Sequence, residues 1–419
     1  MTQKQSLLNR TAGGWIATAL VVASLMIGLA TPALAQNYQV IHTFTGEGEG
    51  GGPDAGLTPD GHGNFYGTTS FGGARGYGTV FRMSPHGSGW IVSPLYSFTG
   101  GTDGANPAAR VVFGPDGSLY GTTSSYETAN TVYNLRPAPT RQASALTNWT
   151  LTTLYQFGGL QDGAFPAGDV IFDSSGNLYG AVMLGGTGCY EGCGSIYELT
   201  PSGGEWTKSV AYAFQGGSDG EFPEGVLFDS SGNMFGTANQ GGQHGEGTIF
   251  ELTPSSGGWQ ETTLYAFSDT GNGGILPEAG LIEDAAGNLY GSTSDGPGES
   301  GAIFELSPSN GGWTYTVLYN LPSHYEGGPA APLAMDAAGN LYGTINGYCD
   351  GCPGGIFKLT PSQNGWTFTS LHDFTGGSDG AHPHSNVSID PNGNLFGTAT
   401  GGGEACSGGT CGVVWEITP

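Results

Sequence analysis

Basic side chains are scarce in this chain of 419 residues: nine Lys and Arg stand against 35 Asp and Glu, a formal net charge of −26. An acidic excess of that size repels phosphate backbones and anionic headgroups, so nucleic acid and acidic membrane surfaces are excluded as partners. Cations, basic proteins and neutral sugars stay open. Charged residues of either sign make up only 11% of the chain. Long apolar runs are missing after Leu29; the one present, from Trp15 to Leu29, follows Lys4 and Arg10 and precedes Ala33-Leu34-Ala35. It is short for a membrane span and ends in small residues that suit a signal peptidase, so residues 1–35 read as a signal peptide cleaved after Ala35. The mature chain is then expected to be soluble, secreted or periplasmic, without a membrane segment, and monomeric. Catalytic signatures are absent too: no G-x-S-x-G elbow, no H-E-x-x-H pair and no phosphate loop. What the sequence has in quantity is glycine, 80 residues, beside 20 Phe, 19 Tyr and 8 Trp. Disordered chains lack such aromatics, so the composition points to turn-rich β structure.

A unit of about 52 to 59 residues recurs seven times between Gln36 and Pro419. Its clearest marker, of G-N-L-Y-G-T type, contains Asn64-Phe65-Tyr66-Gly67, Ser118-Leu119-Tyr120-Gly121, Asn177-Leu178-Tyr179-Gly180 and Asn233-Met234-Phe235-Gly236. It returns as Asn288-Leu289-Tyr290-Gly291, Asn340-Leu341-Tyr342-Gly343 and Asn394-Leu395-Phe396-Gly397. Each unit offers four short strand candidates; in the fourth they are 225–229, 233–237, 248–253 and 259–267. The first two are joined by D-x-x-G-N, where Asp opens a tight turn and Gly accepts positive φ. That aspartate is Asp60, Asp173, Asp229, Asp284, Asp336 or Asp390, with Asp116 displaced by two places in the second repeat. After the third strand T-P-S-x-G-G-W ends the ladder and reverses the chain.

Seven four-stranded units match an all-β, seven-bladed β-propeller; a solenoid is the alternative. The repeats run about 36–89, 90–148, 149–205, 206–258, 259–312, 313–365 and 366–419, as a single domain. Gln36 begins where the other repeats carry Trp90, Trp149, Trp206, Trp259, Trp313 and Trp366, so the mature chain opens with an outer strand and ends with a third strand. The phase predicts that residues 38–44 complete the last blade beside 413–418, closing the ring. The tryptophans are read as blade packing.

The G-N-L-Y-G-T, G-T-I-F-E-L-T-P and L-Y-x-F-x-G-G-x-D-G-x-x-P segments resemble the Gloeo/Verruco (GloVer) tandem-repeat proteins over essentially the whole mature chain. The resemblance implies an exported bacterial repeat protein and no particular activity. Members of that family often carry a carboxy-terminal sorting segment; none is seen here, which favours free release or periplasmic residence.

All six cysteines fall in close pairs, Cys189 with Cys193, Cys349 with Cys352 and Cys406 with Cys411, each between the second and third strands of its repeat. Export makes disulfides the default, as loop staples. The connection entering each blade reads G-G-x-D-G-x-x-P, with Asp103, Asp162, Asp219 and Asp379 near one repeated position, varied elsewhere by Glu47 and Glu49, Asp269 and Glu326. An Asp-Gly turn explains the aspartates, while a crown of carboxylates around the channel mouth would bind a ligand or a cation such as Ca²⁺. His382-Pro383-His384 is the nearest approach to a transition-metal signal, with Asp379 nearby, and is read as an exposed pair.

Active sites normally break repeat symmetry, and these loops are mostly alike outside the irregular stretch 126–148. The chain is therefore read as non-catalytic, binding a glycan or a surface protein through its loop-bearing face. An extracellular polysaccharide hydrolase or lyase using loop carboxylates, and a structural or adhesive envelope protein, are the alternatives.

Overall fold

The computed structural model describes residues 36–419 apart from 138–148, 187, 271–272, 297–299, 348–351, 404 and 407–408, with the backbone alone for 405, 406 and 409. The signal-peptide reading of 1–35 and residues 138–148 of the irregular stretch 126–148 lie outside the described residues.

Each blade starts from its aspartate turn. In the fourth, Oδ1 of Asp229 accepts the backbone N–H groups of Ser231 and Asn233, both at 2.8 Å, and Oδ2 accepts the Asn233 amide at 2.9 Å. Gly232 completes the turn at φ +87°, where a side chain would be strained. Asp60, Asp173, Asp284, Asp336 and Asp390 each accept the same N–H four residues on, and Asp116 serves Ser118.

The strands assemble into seven four-stranded antiparallel sheets, the blades of a propeller. Blade 1 comprises Thr58–Pro59, Phe65–Thr69, Thr79–His86 and Gly89–Ser97; blade 4 comprises Glu221–Phe228, Met234–Gln240, Thr248–Ser255 and Gly258–Ala266. Blade 7 joins the two ends of the described chain. Its inner three strands are Ser388–Ile389, Leu395–Ala399 and Val413–Thr418, and its outer strand is Asn37–Thr43. The register pairs Tyr38 with Ile417 and Val40 with Trp415, with a bulge before His42. The expected closure is therefore present, one residue earlier than its sequence bounds.

The inner strands depart from expectation. Five of them pair over only two residues, such as Val112–Phe113 and Ile282–Glu283. A proline near the start of each removes a ladder donor. In blades 3 and 4 pairing resumes ahead of it, across register shifts at 167–171 and 223–225.

Packing explains the marker glycine. A Cβ on Gly236 would lie 2.5 Å from the Phe250 ring and 2.5 Å from the Gly225 carbonyl, and on Gly397 it would lie 2.2 Å from the Trp415 ring. Third-strand rings (Phe81, Tyr133, Tyr197, Phe250, Phe304, Phe357 and Trp415) are fully buried there. The outer-strand tryptophans reach the second strand of the preceding blade: Trp149 packs on Tyr66, Trp206 on Tyr120, Trp259 on Tyr179, Trp313 on Phe235 and Trp90 on Phe396. They are structural, in contacts of a kind that adds to plain area burial.

Candidate functional site: the channel mouth and the loop-bearing face

In an antiparallel blade the start of the inner strand, the end of the second, the start of the third and the end of the outer strand share one side. The long connections and the cysteine-bearing loops therefore emerge on one face, and the inner strands begin there.

In six of the seven blades a backbone device sets the residue that enters the channel wall. Asn106, Phe165, Phe222, Leu276 and His382, each just before a proline, have φ between +51° and +58°. That conformation costs about 1–3 kcal/mol for a residue with a side chain, and bonds on both sides hold it. Leu276 N–H donates to the Glu246 carbonyl of the preceding blade at 3.1 Å, and its own carbonyl accepts Ser294 N–H at 2.9 Å. Asn106 is held in the same way between Tyr77 and Ser124, and His382 between Pro353 and Thr400. Gly52 repeats the arrangement between Cys411 and Ser70, joining blade 7 to blade 1. The proline ring then packs where only glycine fits: a Cβ on Gly247 would lie 2.5 Å from Pro277 Cδ. Two residues after the proline, a carbonyl accepts the motif threonine of the preceding blade. Thr237 donates to Ala279 and Thr344 to Ser385, both at 2.8 Å; Thr398 donates to Ala55 at 2.9 Å and Thr68 to Ala109 at 3.2 Å. The final letter of the repeat marker thus positions the channel wall of the next blade.

The residue between proline and that carbonyl differs around the ring. It is Asp54, Ala108, Ala167, Glu224, Glu278, Ala330 and His384 in blades 1 to 7, all lining a cavity of about 840 Å³. This is the broken symmetry that the loops seemed to lack. Reading for what repeats passed over it, although the signal was legible as charge that changes after a constant proline. His384 Nδ1 lies 3.3 Å from Asp54 Oδ1, and Nε2 meets the side-chain amide of the buried Asn346. Burial opposes the His384 charge, but Asp54, and more weakly Glu278, hold its pKa above the ordinary value. One layer further in, Arg110 donates two bonds to Asp169 Oδ2, at 2.6 and 2.9 Å. Glu224 has no hydrogen-bond partner among the described residues. Its depth in the channel, reinforced by Glu278, pushes its carboxyl up to about 8.

The aspartates expected at the crown lie one per loop, each turned onto its own connection. Asp103 accepts Tyr96 hydroxyl at 2.9 Å, Thr99 N–H at 2.8 Å and Gly101 N–H at 3.2 Å. Asp219 repeats this with Tyr212, Gln215 and Gly217. Asp162 accepts Tyr155 and Gly158 and pairs with Lys208 at 2.9 Å. Asp379 takes His372 at 3.1 Å in place of a tyrosine, with Thr375. Burial acts to raise the Asp103 and Asp379 carboxyls, and the bonds from Thr99 and Thr375 outweigh it, holding both below the usual range. In blade 1 Glu49 takes over the position, accepting Thr45 N–H at 3.0 Å and facing His42 at 3.3 Å.

His382 is exposed, as read from the sequence, but it does not stand beside His384. The left-handed backbone at His382 separates them, so His384 faces the channel while His382 Nδ1 meets the Gly347 carbonyl at 3.0 Å. Asp379 belongs to His372 instead. Among the described residues no three His, Cys, Asp or Glu are grouped to hold a metal ion. Cys189 and Cys193 are bonded to each other, and Cys352 and Cys411 are also disulfide-bonded. Cys349 and the Cys406 side chain lie outside the described residues.

Aromatic rings stand open on the loop-bearing face of three consecutive blades. Tyr126 is 90% exposed, its ring 4.3 Å from that of Phe165, and Tyr190 is fully exposed beside the Cys189–Cys193 staple. Phe71 and Tyr77 are each 40% exposed. A Cβ on Gly51 or on Gly100 would lie within 2.7 Å of the Phe71 or Tyr77 ring respectively, so both rings rest on bare backbone.

Among solved structures, the chain is similar to a 6-phosphogluconolactonase homologue from Bacteroides uniformis, at 19% identity and TM-score 0.50, over 78% of this chain and 85% of that one. It is also similar to PorZ, a surface component of the type-IX secretion system of Porphyromonas gingivalis, at 13% identity and TM-score 0.50, over 88% of this chain and 47% of that one. These likenesses show the propeller fold alone. No curated protein matches the chain. The Gloeobacter/Verrucomicrobia repeat matches three times, over residues 30–187, 140–300 and 262–419, and the chain belongs to that repeat family.

Proposed function

We propose that this protein is an exported, non-catalytic propeller that binds a neutral or amine-bearing glycan on its loop-bearing face. The observation that carries the reading is the set of exposed rings, Phe71, Tyr77, Tyr126 and Tyr190, in the loops of blades 1 to 3. Sugar rings present C–H faces that stack on aromatic side chains while their hydroxyls bond to nearby polar groups. Separate rings set among glycines and carboxylates suit that mode better than a protein partner, which would favour one contiguous apolar patch. The acidic surface disfavours sulfated or uronate-rich chains. Export is supported by the leader-like pattern of residues 1–35 and by the disulfides, which persist in oxidising compartments. Among the described residues no helix is long and apolar enough to cross a membrane.

The test is retention on a panel of immobilised neutral and deacetylated polysaccharides, with wild type beside the double variant Tyr126→Ala, Tyr190→Ala. At least one polysaccharide should retain the wild type, and the variant should bind it about tenfold or more weakly. Equal retention of both proteins contradicts the reading, and release of reducing ends from the bound chain would replace it with a hydrolytic one.

A further inference from the structure

We propose that the aromatic face reads the body of a polysaccharide, not a chain end or a single sugar, and that it selects neutral chains wound into a helix over straight ribbons. The proposal rests on the glycan reading above and goes further, because the placement of the four rings has a shape. Each ring stands over a different junction between blades. Phe71 lies against Gly51 and Gly52, where the chain enters blade 1 from the closing strand of blade 7. Tyr77 lies against Gly100, in the connection from blade 1 to blade 2. Tyr126 leans on Phe165, in the connection from blade 2 to blade 3. Tyr190 stands on the Cys189–Cys193 staple, which rests on the connection from blade 3 to blade 4: a Cβ on Gly216 would lie 2.3 Å from Cys189 Sγ. The four junctions are consecutive. Neighbouring junctions of a seven-bladed ring are turned by about one-seventh of a circle, so the rings follow an arc of about three-sevenths of a turn around the channel mouth. Among the described residues these are the exposed Phe, Tyr and Trp rings, so the arc has two ends, at Phe71 and at Tyr190.

The arc presents ring faces. The point where a Gly100 Cβ would sit is 2.6 Å from Tyr77 Cζ and 2.7 Å from both of its Cε atoms. Three ring atoms so evenly near one point put that point over the ring and not beyond its edge. Tyr77 therefore lies flat on the glycine and turns its other face outward, where the C–H face of a sugar can stack. Polar partners stand beside the rings. Tyr126 is followed by Glu127 and Tyr190 by Glu191, both exposed, in loops that otherwise differ. A carboxylate accepts hydroxyl groups and repels an acidic chain. The same Tyr-Glu pair at two successive junctions suits successive units of one repeating polymer.

Shape follows from the arc. A straight ribbon crosses it as a chord and meets its rings at no more than two places, whereas a wound chain follows it. A single sugar uses one ring and leaves three in water. In a chain each further contact is intramolecular, so affinity climbs with length until the arc is filled.

Isothermal titration of the mature protein with three pairs of probes tests this: maltose and maltoheptaose, laminaribiose and laminariheptaose, and cellobiose and cellohexaose. The first two series are wound and the third is straight. In at least one wound series the long chain should bind about tenfold or more tightly than its disaccharide, and about tenfold or more tightly than cellohexaose. Phe71→Ala and Tyr190→Ala, at the two ends of the arc, should each weaken the long chain about fivefold, with the thermal midpoint of Tyr190→Ala unchanged. Cellohexaose binding as tightly as the better wound chain overturns the proposal. So do equal affinity for disaccharide and heptasaccharide, binding by neither wound series, and a folded Tyr190→Ala protein that binds the heptasaccharide like wild type. Each of these outcomes leaves the glycan reading standing where some polysaccharide of the panel retains the protein; retention on none removes both.

Discussion

Replacing Glu224 by Gln should stabilise the protein in alkali and leave it nearly unchanged in acid. The folded protein holds this carboxyl up at about 8, against 4.5 for the ordinary side chain. Between those values the folded state keeps a proton that the unfolded state releases. Stability linked to Glu224 is therefore fully present below about pH 4.5, falls as pH rises, and levels off above about pH 8. At 1.36 kcal/mol per unit the shift corresponds to roughly 4–5 kcal/mol lost by pH 9, and roughly 3 by pH 7. Glutamine is of the same size and never ionises, so the variant escapes the loss. The assay is urea unfolding followed by tryptophan fluorescence at pH 5, 7 and 9, wild type beside Glu224→Gln. Asp54, Asp169, Glu278 and His384 are present in both proteins, so the comparison is aimed at Glu224. A stability gap that opens by several kcal/mol from pH 5 to pH 9 supports the reasoning. A gap independent of pH, or a variant less stable at pH 9, refutes it.

Two further predictions concern the fold. Gly236→Ala should destabilise by about 1–3 kcal/mol, because the new methyl meets the Phe250 ring and the Gly225 carbonyl at 2.5 Å; an unchanged urea midpoint would mean that this layer has room to give. Cys189→Ser with Cys193→Ser should lower stability by only about 2 kcal/mol, as expected for so short a closed loop, and loss of folding would show the staple to be a principal support.

The blades were legible because each is built from local signals that recur. The turn at Asp229 needs a side-chain acceptor and a glycine within five residues, and both stand in the sequence. The closure by Asn37–Thr43 followed from phase alone, since a chain that opens with an outer strand and ends with a third strand leaves one blade to be shared. The role of the tryptophans was equally plain, because their positions recur whatever the loops contain.

The channel was not legible in the same way. A search for repeats weighs what is constant, and the site lies in what changes: Asp54, Ala108, Ala167, Glu224, Glu278, Ala330 and His384 occupy one position. The pairing of His384 with Asp54 joins opposite ends of the chain, 330 residues apart in sequence, and only ring closure brings them together. The parting of His382 from His384 was hidden for a different reason: its left-handed backbone sends it away from its neighbour, and nothing in His-Pro-His announces that conformation. The exposed rings were hidden by number, because most aromatics of the chain pack between blades and only their surroundings distinguish Tyr126 and Tyr190.

The central claim is that ligands are taken on the face bearing Tyr126, Tyr190 and the channel mouth. Hydrogen–deuterium exchange of the mature protein, alone and saturated with the polysaccharide that retains it, tests this most directly. The account predicts added protection in the connections around residues 71–77, 126–130, 158–165 and 188–194, with none at the aspartate hairpins of the opposite face, such as 60–64 and 229–233. Protection confined to those hairpins, or to the outer strands, would contradict it.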